Sequence, residues 1–365
     1  MLREPLRRLR SLDSLEGIVK PLAFDAGGTS LFLSTEQGVR SVLIRHHLEH
    51  DTSEKVDIPL GIITGYGSYQ QGQLHLPFSA PDQPATLAAF TTRPRNHSRT
   101  TTRDTPANAV ARTELFPTPA GPVEALVYGY PWNTAERVIV ALHGGPESHW
   151  RADCNPTLAL LSTAGTVIAI NQRGSTGYGQ SHQEAIHHAW GGPDLADIHA
   201  IADHISRHRD HPNTEIMIFG TSYGAYLALL AAATQPNQWS HCAAIAPFLS
   251  GELLYNDASA DVRRLIDRLG GRTEIRDSHG PRDLLRLADK LRTRTLLIHG
   301  AADPIIPVSH SRRLHQRLAS LGRCAQLEYI EALGGHNPPY DRGGRPIGDH
   351  LVEFFSRSHT SSPSS

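Results

Sequence analysis

The 365-residue chain has few cysteines, almost no net charge and no long apolar run, and each of these absences excludes or disfavours a class of protein. It has only three cysteines and no CxxC pair, which excludes a framework of several disulfides and favours a reducing compartment. Its formal net charge is −1, so no global field points to nucleic acid or an anionic membrane as a partner. No apolar run approaches the roughly 20 residues of a membrane span, and the Arg/Leu-rich N-terminus lacks the apolar stretch of a secretory signal. We therefore expect a cytoplasmic protein.

The first part of the chain has the pattern of short β-strands. Two apolar runs flank a Gly-Gly turn within Pro21–Ser34, which predicts a hairpin, and a similar unit recurs at Gly67–Phe78. The span Thr91–Asn108 is rich in Thr, Arg, Asn and Pro without an apolar period, which is typical of a linker. We assign residues 1–110 to a β-rich N-terminal region with its linker.

From about Arg112 onward, short apolar runs alternate with helical patterns. Val138–Leu142 and Ile216–Phe219 are examples of the runs, and helices are predicted near Asp194–Arg207 and Tyr223–Ala233. This alternation predicts an α/β fold with a mostly parallel sheet covered by helices on both faces. We assign residues 111–357 to this domain and the Ser-rich residues 358–365 to a disordered tail.

One short motif lies where such a strand passes into a helix. The sequence Gly220-Thr-Ser-Tyr-Gly224 matches G-x-S-x-G, the nucleophile elbow of α/β-hydrolases. The motif alone is weak, but an apolar strand precedes it and an Ala/Leu-rich helix follows it. This context predicts Ser222 as a nucleophile at a helix N-terminus, where developing negative charge is favoured.

A serine nucleophile needs a base and a carboxylate that orients the base. In α/β-hydrolases these follow the serine in the order acid, then histidine. Asp303 follows the predicted strand Thr295–His299, and His336 follows another predicted strand after two glycines. The order and positions predict Asp303 and His336 as the acid and the base, although each residue could instead be a helix cap or a surface loop residue.

The oxyanion formed on attack needs preorganised backbone donors. One should be the amide of Tyr223, the residue after the nucleophile. The other should come from His143-Gly-Gly-Pro-Glu147, which directly follows the apolar run Val138–Leu142 and whose glycines allow close approach to a substrate.

Six segments in order resemble the prolyl oligopeptidase family, especially its dipeptidyl- and acylaminoacyl-peptidase branches. They lie at His143–Pro146, Asn171–Gly179, Trp190–Asp197, Gly220–Gly224, Ile298–Asp303 and Gly335–His336. The resemblance implies an α/β-hydrolase fold with the triad Ser222, Asp303 and His336. It also implies Gly145 and Tyr223 as oxyanion donors, and Arg173 and Asp194 as structural supports.

The chain departs from the family pattern in two places. Members carry a many-bladed β-propeller before the hydrolase domain, whereas about 110 residues leave room for about two four-stranded blades. After the acid, the family often has Asp-x-Arg-Val-Pro with an Arg that binds a peptide carbonyl, and here Ile305 takes the place of that Arg, with Arg312 or Arg313 as nearby substitutes. Phe248, Tyr255 and Ile305 are the candidates for a substrate pocket.

These observations predict a serine hydrolase that acts on peptide or amide bonds. An acyltransferase, cyclase or esterase would use the same triad, and a non-catalytic binding module is disfavoured because all three residues are present. This chemistry needs no cofactor, and His204 and His208 lack an HExxH motif, so we predict no metal site. The expected partners are small peptide, amide or ester substrates and a second copy of the chain, without nucleic acid or membrane.

Overall fold

The structure is a computed structural model that describes residues 19–92, 111–275 and 277–357. The predicted linker beyond Thr92 and the predicted tail lie outside these residues. Within the described ranges, no helix is both long enough and apolar enough to cross a membrane.

The N-terminal region, residues 19–92, consists of antiparallel strands, as predicted. The strands are β1 (Lys20–Phe24), β2 (Ser30–Gln37), β3 (Arg40–His47), β4 (Thr52–Val56), β5 (Ile62–Ile63), β6 (Ser68–Gln70), β7 (Gln73–Ala80) and β8 (Gln83–Thr91). They form two four-stranded sheets, one with the order β1-β2-β3-β4 and one in which β7 pairs with β5, β6 and β8. The predicted hairpins at Pro21–Ser34 and Gly67–Phe78 are confirmed as β1–β2 and β6–β7.

The C-terminal region, residues 111–357, is built around one eight-stranded sheet. Its strands are β9 (Ala111–Phe116), β10 (Val123–Tyr128), β11 (Arg137–Leu142), β12 (Thr166–Ile170), β13 (Glu215–Thr221), β14 (His241–Ile245), β15 (Arg294–Gly300) and β16 (Leu327–Ala332). The order is β16-β15-β14-β13-β11-β12-β10-β9. The first six of these strands run parallel and β10 pairs antiparallel with both β12 and β9, so the predicted mostly parallel sheet is confirmed.

Helices cover both faces of this sheet. They are α1 (Pro156–Leu161), α2 (Gln180–Glu184), α3 (Pro193–His208), α4 (Tyr223–Thr234), α5 (Gly251–Asp257), α6 (Ala260–Leu269), α7 (Ser309–Ser320) and α8 (Ile347–Ser356). Alternate residues of β11 enter two separate cores because strand side chains alternate between faces. Val138 and Val140 pack in the core that contains α3 and α4, while Ile139 and Ala141 pack in the core with α1 and α8.

The turn between β2 and β3 attaches the N-terminal region to the C-terminal region. Val39 is fully buried and belongs to a core of the C-terminal region. The amide of Gly38 donates to the Gly177 carbonyl at 2.9 Å, and the Val39 carbonyl accepts from the Ala152 amide at 2.7 Å. The Val39 amide also donates to the Glu124 carboxylate at 3.1 Å.

Candidate active site

Ser222 occupies the turn between β13 and α4. Its φ of 60° and ψ of −120° lie in a region that non-glycine residues rarely adopt, and such strain persists only where the surroundings enforce it. The Ser222 amide donates to the Ile245 carbonyl on the neighbouring strand at 2.8 Å. A Cβ at Gly224 would lie 2.5 Å from the carbonyl oxygens of Leu142 and His143, so only glycine lets helix α4 approach β11 this closely.

Asp303 and His336 meet at the same edge of the sheet. They follow β15 and β16, which are the second and third strands from β13 and run parallel to it. His336 Nδ1 lies 2.7 Å from Asp303 Oδ2, and the Ala302 amide donates to the Gly334 carbonyl at 2.9 Å. The two loops are therefore joined, and the carboxyl ends of the parallel strands gather the predicted acid, base and nucleophile at one edge.

The Asp303 carboxylate is buried yet well supplied with donors. Oδ1 accepts from the amides of Ile305 and Ile306 at 2.8 and 3.0 Å, and His299 Nε2 lies 3.2 Å from Oδ2. Burial raises the pKa of Asp303, but the hydrogen bonds from His299, His336 and the two amides outweigh burial and hold that pKa well below its usual range. The carboxylate is therefore ionised at neutral pH.

The predicted oxyanion loop lies against Ser222. A Cβ at Gly144 would be 3.3 Å from the Ser222 Cβ, and Gly145 is the next residue. His143 is buried, and its ring nitrogens lie 2.8 Å from Ser175 Oγ and 2.7 Å from the Gly144 carbonyl. Burial lowers the His143 pKa to about 4, so the ring is neutral and supports the loop.

Tyr223, the other predicted donor, is the first residue of α4. Its hydroxyl donates to Asp194 Oδ2 at 2.6 Å, deep in the protein. Burial raises the pKa of Asp194 to about 6 despite this hydrogen bond and those from two amides. The Tyr223–Asp194 contact ties the start of α4 to the start of α3.

Two further ion pairs support the loops around the site. Arg173 pairs with the buried Asp197 at 3.0 Å. Glu147, at the end of the oxyanion loop, accepts from Gln183 on α2 at 2.9 Å and pairs with Arg268 on α6 at 2.5 Å. The sequence did not reveal the Glu147 contacts, because its partners lie far along the chain.

The three candidate pocket residues lie in different environments. Phe248 is 2% exposed and stacks on Tyr226 with ring centroids 4.3 Å apart. Tyr255 is half-buried beneath the Arg272 guanidinium, 4.2 Å from the ring centroid. Ile305 is 42% exposed on the loop that follows Asp303. Of the three, Ile305 presents an apolar surface beside the acid.

Arg312 and Arg313, the nearby substitutes for the missing arginine, are both engaged elsewhere. Arg312 makes a two-pronged ion pair with Glu331 at 2.8 and 2.7 Å. Arg313 pairs with Asp257 at 3.0 Å. Each would have to give up an ion pair to bind a peptide carbonyl.

His204 and His208 lie one turn apart on α3 with ring centroids 4.2 Å apart. Over the described ranges, no three His, Cys, Asp or Glu side chains gather in a way that could hold a metal ion.

The sequence matches a known protein family. The sequence profile described as "Prolyl oligopeptidase family" matches residues 153–360. The acylamino-acid-releasing enzyme of Arabidopsis thaliana is 25% identical over 214 residues, which are 56% of this chain and 28% of that protein. The dipeptidyl-peptidase 5 of Schizosaccharomyces pombe is 36% identical over 96 residues, which are 25% of this chain and 14% of that protein. The chain thus matches less than a third of the length of these relatives.

Solved structures share the fold. A puromycin-hydrolyzing peptidase of Mycobacterium tuberculosis matches with a TM-score of 0.71 and 21% identity, covering 94% of this chain and 54% of that one. The acylaminoacyl peptidase of Pyrococcus horikoshii matches with a TM-score of 0.70 and 18% identity, covering 92% of this chain and 55% of that one. The predicted α/β-hydrolase fold with a β-rich N-terminal region is confirmed. Because the family profile spans more than half of the sequence, the chain belongs to the prolyl oligopeptidase family.

Proposed function

We propose that the protein is a serine hydrolase that cleaves peptide or amide bonds through an acyl-enzyme on Ser222. The observation that carries the proposal is the 2.7 Å contact between His336 Nδ1 and Asp303 Oδ2, at the sheet edge that also holds the strained Ser222 turn. A buried carboxylate that receives the histidine Nδ1–H leaves Nε2 as the proton acceptor, which is what a serine nucleophile requires.

In the proposed mechanism, His336 takes the Ser222 proton as Oγ attacks the substrate carbonyl. The amides of Gly145 and Tyr223 hold the oxyanion, each such donor lowering the barrier by about 3 kcal/mol. His336 then gives the proton to the leaving amine, and a water attacks the acyl-enzyme with His336 again as the base. Asp303 keeps its charge throughout, in accord with its lowered pKa, and stabilises the imidazolium.

The relatives support an amide substrate by their names, which are acylamino-acid-releasing enzyme, dipeptidyl-peptidase 5 and puromycin-hydrolyzing peptidase. We propose short peptides or aminoacyl amides as substrates of this chain. We also propose the division into residues 1–110 and 111–357, since β9, beginning at Ala111, joins the eight-stranded sheet. The three cysteines are unpaired, which favours a cytoplasmic location.

A second candidate is acyl transfer, cyclisation or ester hydrolysis by the same three residues. Three of the exposed large apolar side chains, Ile305, Leu333 and Tyr340, lie within four residues of Asp303 or His336 along the chain. The histidine protonates the leaving group, so side chains on its loop border that side of the substrate. An apolar border, beside which Arg312 and Arg313 are both held in ion pairs, favours an apolar leaving group or incoming nucleophile over a long peptide.

Two experiments test the proposal. A fluorophosphonate probe should label the folded protein at Ser222 and leave the Ser222→Ala variant unlabelled. Absence of label on the folded wild type would contradict the serine hydrolase. A panel of aminoacyl amides, peptidyl amides and short esters, incubated with and without an added amine, then separates the candidates by product mass. Free acids indicate hydrolysis, and amine adducts indicate acyl transfer.

A further inference from the structure

A second histidine, His299, lies beside the acid and has no part in the mechanism above. It is on the apolar strand β15, four residues before Asp303, and its side chain is fully buried. Its Nδ1 lies 2.7 Å from Ser311 Oγ, and its Nε2 lies 2.9 Å from the Ile306 carbonyl and 3.2 Å from Asp303 Oδ2. A polar ring inside a buried strand has to be fully hydrogen-bonded, and here every contact points to the Asp303 loop or to α7.

These contacts assign the ring proton. The Ile306 carbonyl only accepts hydrogen bonds, so Nε2 of His299 carries the hydrogen and shares it between that carbonyl and Asp303 Oδ2. Nδ1 pairs with the Ser311 hydroxyl, which can either donate or accept. The Ile306 carbonyl thus ensures that Nε2 of His299 points a donor at the acid, and Ser311 holds the other ring nitrogen.

We infer that His299 is a positioning residue of the active site, which holds Asp303 in place through its Nε2–H and shares Oδ2 with His336. This inference rests on the proposed function. The Nε2–H joins the acid to the Ile306 carbonyl, while the amides of Ile305 and Ile306 bind the opposite oxygen. Asp303 therefore has donors on both oxygens, and its carboxylate cannot rotate away from His336 without breaking several of them.

The sharing of Oδ2 also affects the electrostatics of the base. Among the described residues, the titratable groups Asp303 and His310 face His299, and His336 shares Oδ2 of Asp303 with it. His310 in turn lies 3.5 Å from Asp257. Without the His299 donor, Oδ2 of Asp303 binds His336 only, while Oδ1 keeps its two amides, and the less shared charge stabilises the imidazolium more strongly. The acidic limb of the kcat/KM profile then moves to higher pH.

A pair of substitutions isolates the donor. Gln places its Nε2 near the position of the histidine Nε2, whereas Asn reaches only the position of Nδ1. His299→Gln should keep kcat within about threefold of wild type, and His299→Asn should lose on the order of 10- to 100-fold in kcat with little change in KM. The acidic limb of the kcat/KM profile should move to higher pH in the Asn variant and stay at the wild-type pH in the Gln variant. His199, a buried histidine bound to Thr234 at 3.0 Å, provides the control, since its Gln and Asn variants should not differ in kcat.

Thermal unfolding establishes that each variant is folded. Equal kcat and equal acidic limbs for His299→Gln and His299→Asn would overturn the inference. If the Asn variant does not fold, Ser311→Ala provides the test. This substitution removes the hydrogen bond that holds the ring at Nδ1, so it should lower kcat several-fold and move the acidic limb to higher pH. An unchanged pH profile would overturn the inference. Labelling of wild-type Ser222 distinguishes this failure from a failure of the proposed function.

Discussion

The two regions of the molecule differ in how their sheets meet solvent. In the C-terminal region the inner residues of β13, Ile216–Gly220, are buried, because helices cover both faces. In the N-terminal region β8 is exposed along most of its length. A strand buried on both faces is fixed by packing, and its carboxyl end can hold a strained turn such as Ser222. The two sheets of the N-terminal region enclose a small core of their own, which includes Phe32, Leu43 and Leu76. Val39, in contrast, packs into a core of the C-terminal region.

We infer from this comparison that the C-terminal region carries all the proposed catalytic residues, whereas the N-terminal region is attached to it without contributing one. The proposed catalytic residues all follow strands of the C-terminal sheet. The N-terminal region contacts the C-terminal region at the buried Val39 and the hydrogen bonds around it, and further through Arg40 to Thr113 and Ser79 to Cys154. The following four predictions test this separation, beginning with the largest expected effect.

Removing the nucleophile should abolish activity and leave stability unchanged. Ser222→Ala should lower kcat by at least about 10⁴-fold, because the triad acts as a unit. The side chain is only partly buried and the turn is held by its backbone hydrogen bonds, so the unfolding midpoint should stay within experimental error. Steady-state kinetics and denaturant titration measure the two quantities. A large fall in stability would instead assign Ser222 a packing role.

Truncating the attachment should affect stability much more than truncating an exposed strand residue. Val39→Ala removes two methyl groups from a fully buried site and should cost about 1–3 kcal/mol of unfolding free energy. Leu87→Ala on β8, where the side chain is 73% exposed, should change it by less than about 0.5 kcal/mol. Urea titrations compare the two variants. Equal effects would mean that Val39 does not anchor the N-terminal region.

Asp194 should make stability fall as the pH rises. Its folded pKa of about 6 lies above that of an unfolded aspartate, so the folded state binds more protons between about pH 4 and 6. The stability that this proton provides is present at low pH and is lost as the pH rises through 6. The unfolding free energy of Asp194→Asn relative to wild type should therefore increase by about 2 kcal/mol between pH 4.5 and 7.5. A constant difference would show that Asp194 is ionised at both pH values.

The smallest effect concerns the leaving group. Ile305→Ser and Leu333→Ser should lower kcat/KM for amides with apolar leaving groups by about 3- to 10-fold, because apolar contact is lost. Substrates with the same acyl part and a small polar leaving group should be affected less. Leu87→Ser provides a control, since Leu87 is also exposed but lies in the N-terminal region. Equal losses for both leaving groups would contradict an apolar border beside His336.

Local patterns predicted the elements around the nucleophile well. The apolar run before Gly220 and the Ala/Leu run after Gly224 correspond to β13 and α4, because both are continuous apolar runs, as expected of elements buried on all sides, and their lengths suit a strand and a helix. The placement of Asp303 and His336 after strands also followed from the sequence, and the structure brings these two residues together. Their catalytic roles, and those of Gly145 and Tyr223, stay predictions.

Features that depend on distant contacts could not be predicted. Val39 follows a glycine in a short turn, and nothing in the sequence near it indicates that it is buried among residues more than 80 positions later. The sequence did contain a signal for His299, since a histidine that directly follows the apolar run Leu296–Ile298, four residues before an aspartate, is unusual for a buried strand. The sequence contained no signal for the contacts of Glu147, because its partners Gln183 and Arg268 lie on two other helices.

The hydrogen bond between the Ala152 amide and the Val39 carbonyl connects the N-terminal turn with the proposed site. The segment 143–152 begins at the proposed oxyanion loop and ends at this contact, so a segment that lies against Ser222 also touches the N-terminal region. We therefore expect a change in the turn at Val39 to shift the far end of a segment whose near end lies against Ser222. The N-terminal turn and the loop beside Ser222 thus share one stretch of chain, whereas Asp303 and His336 lie on loops that follow other strands.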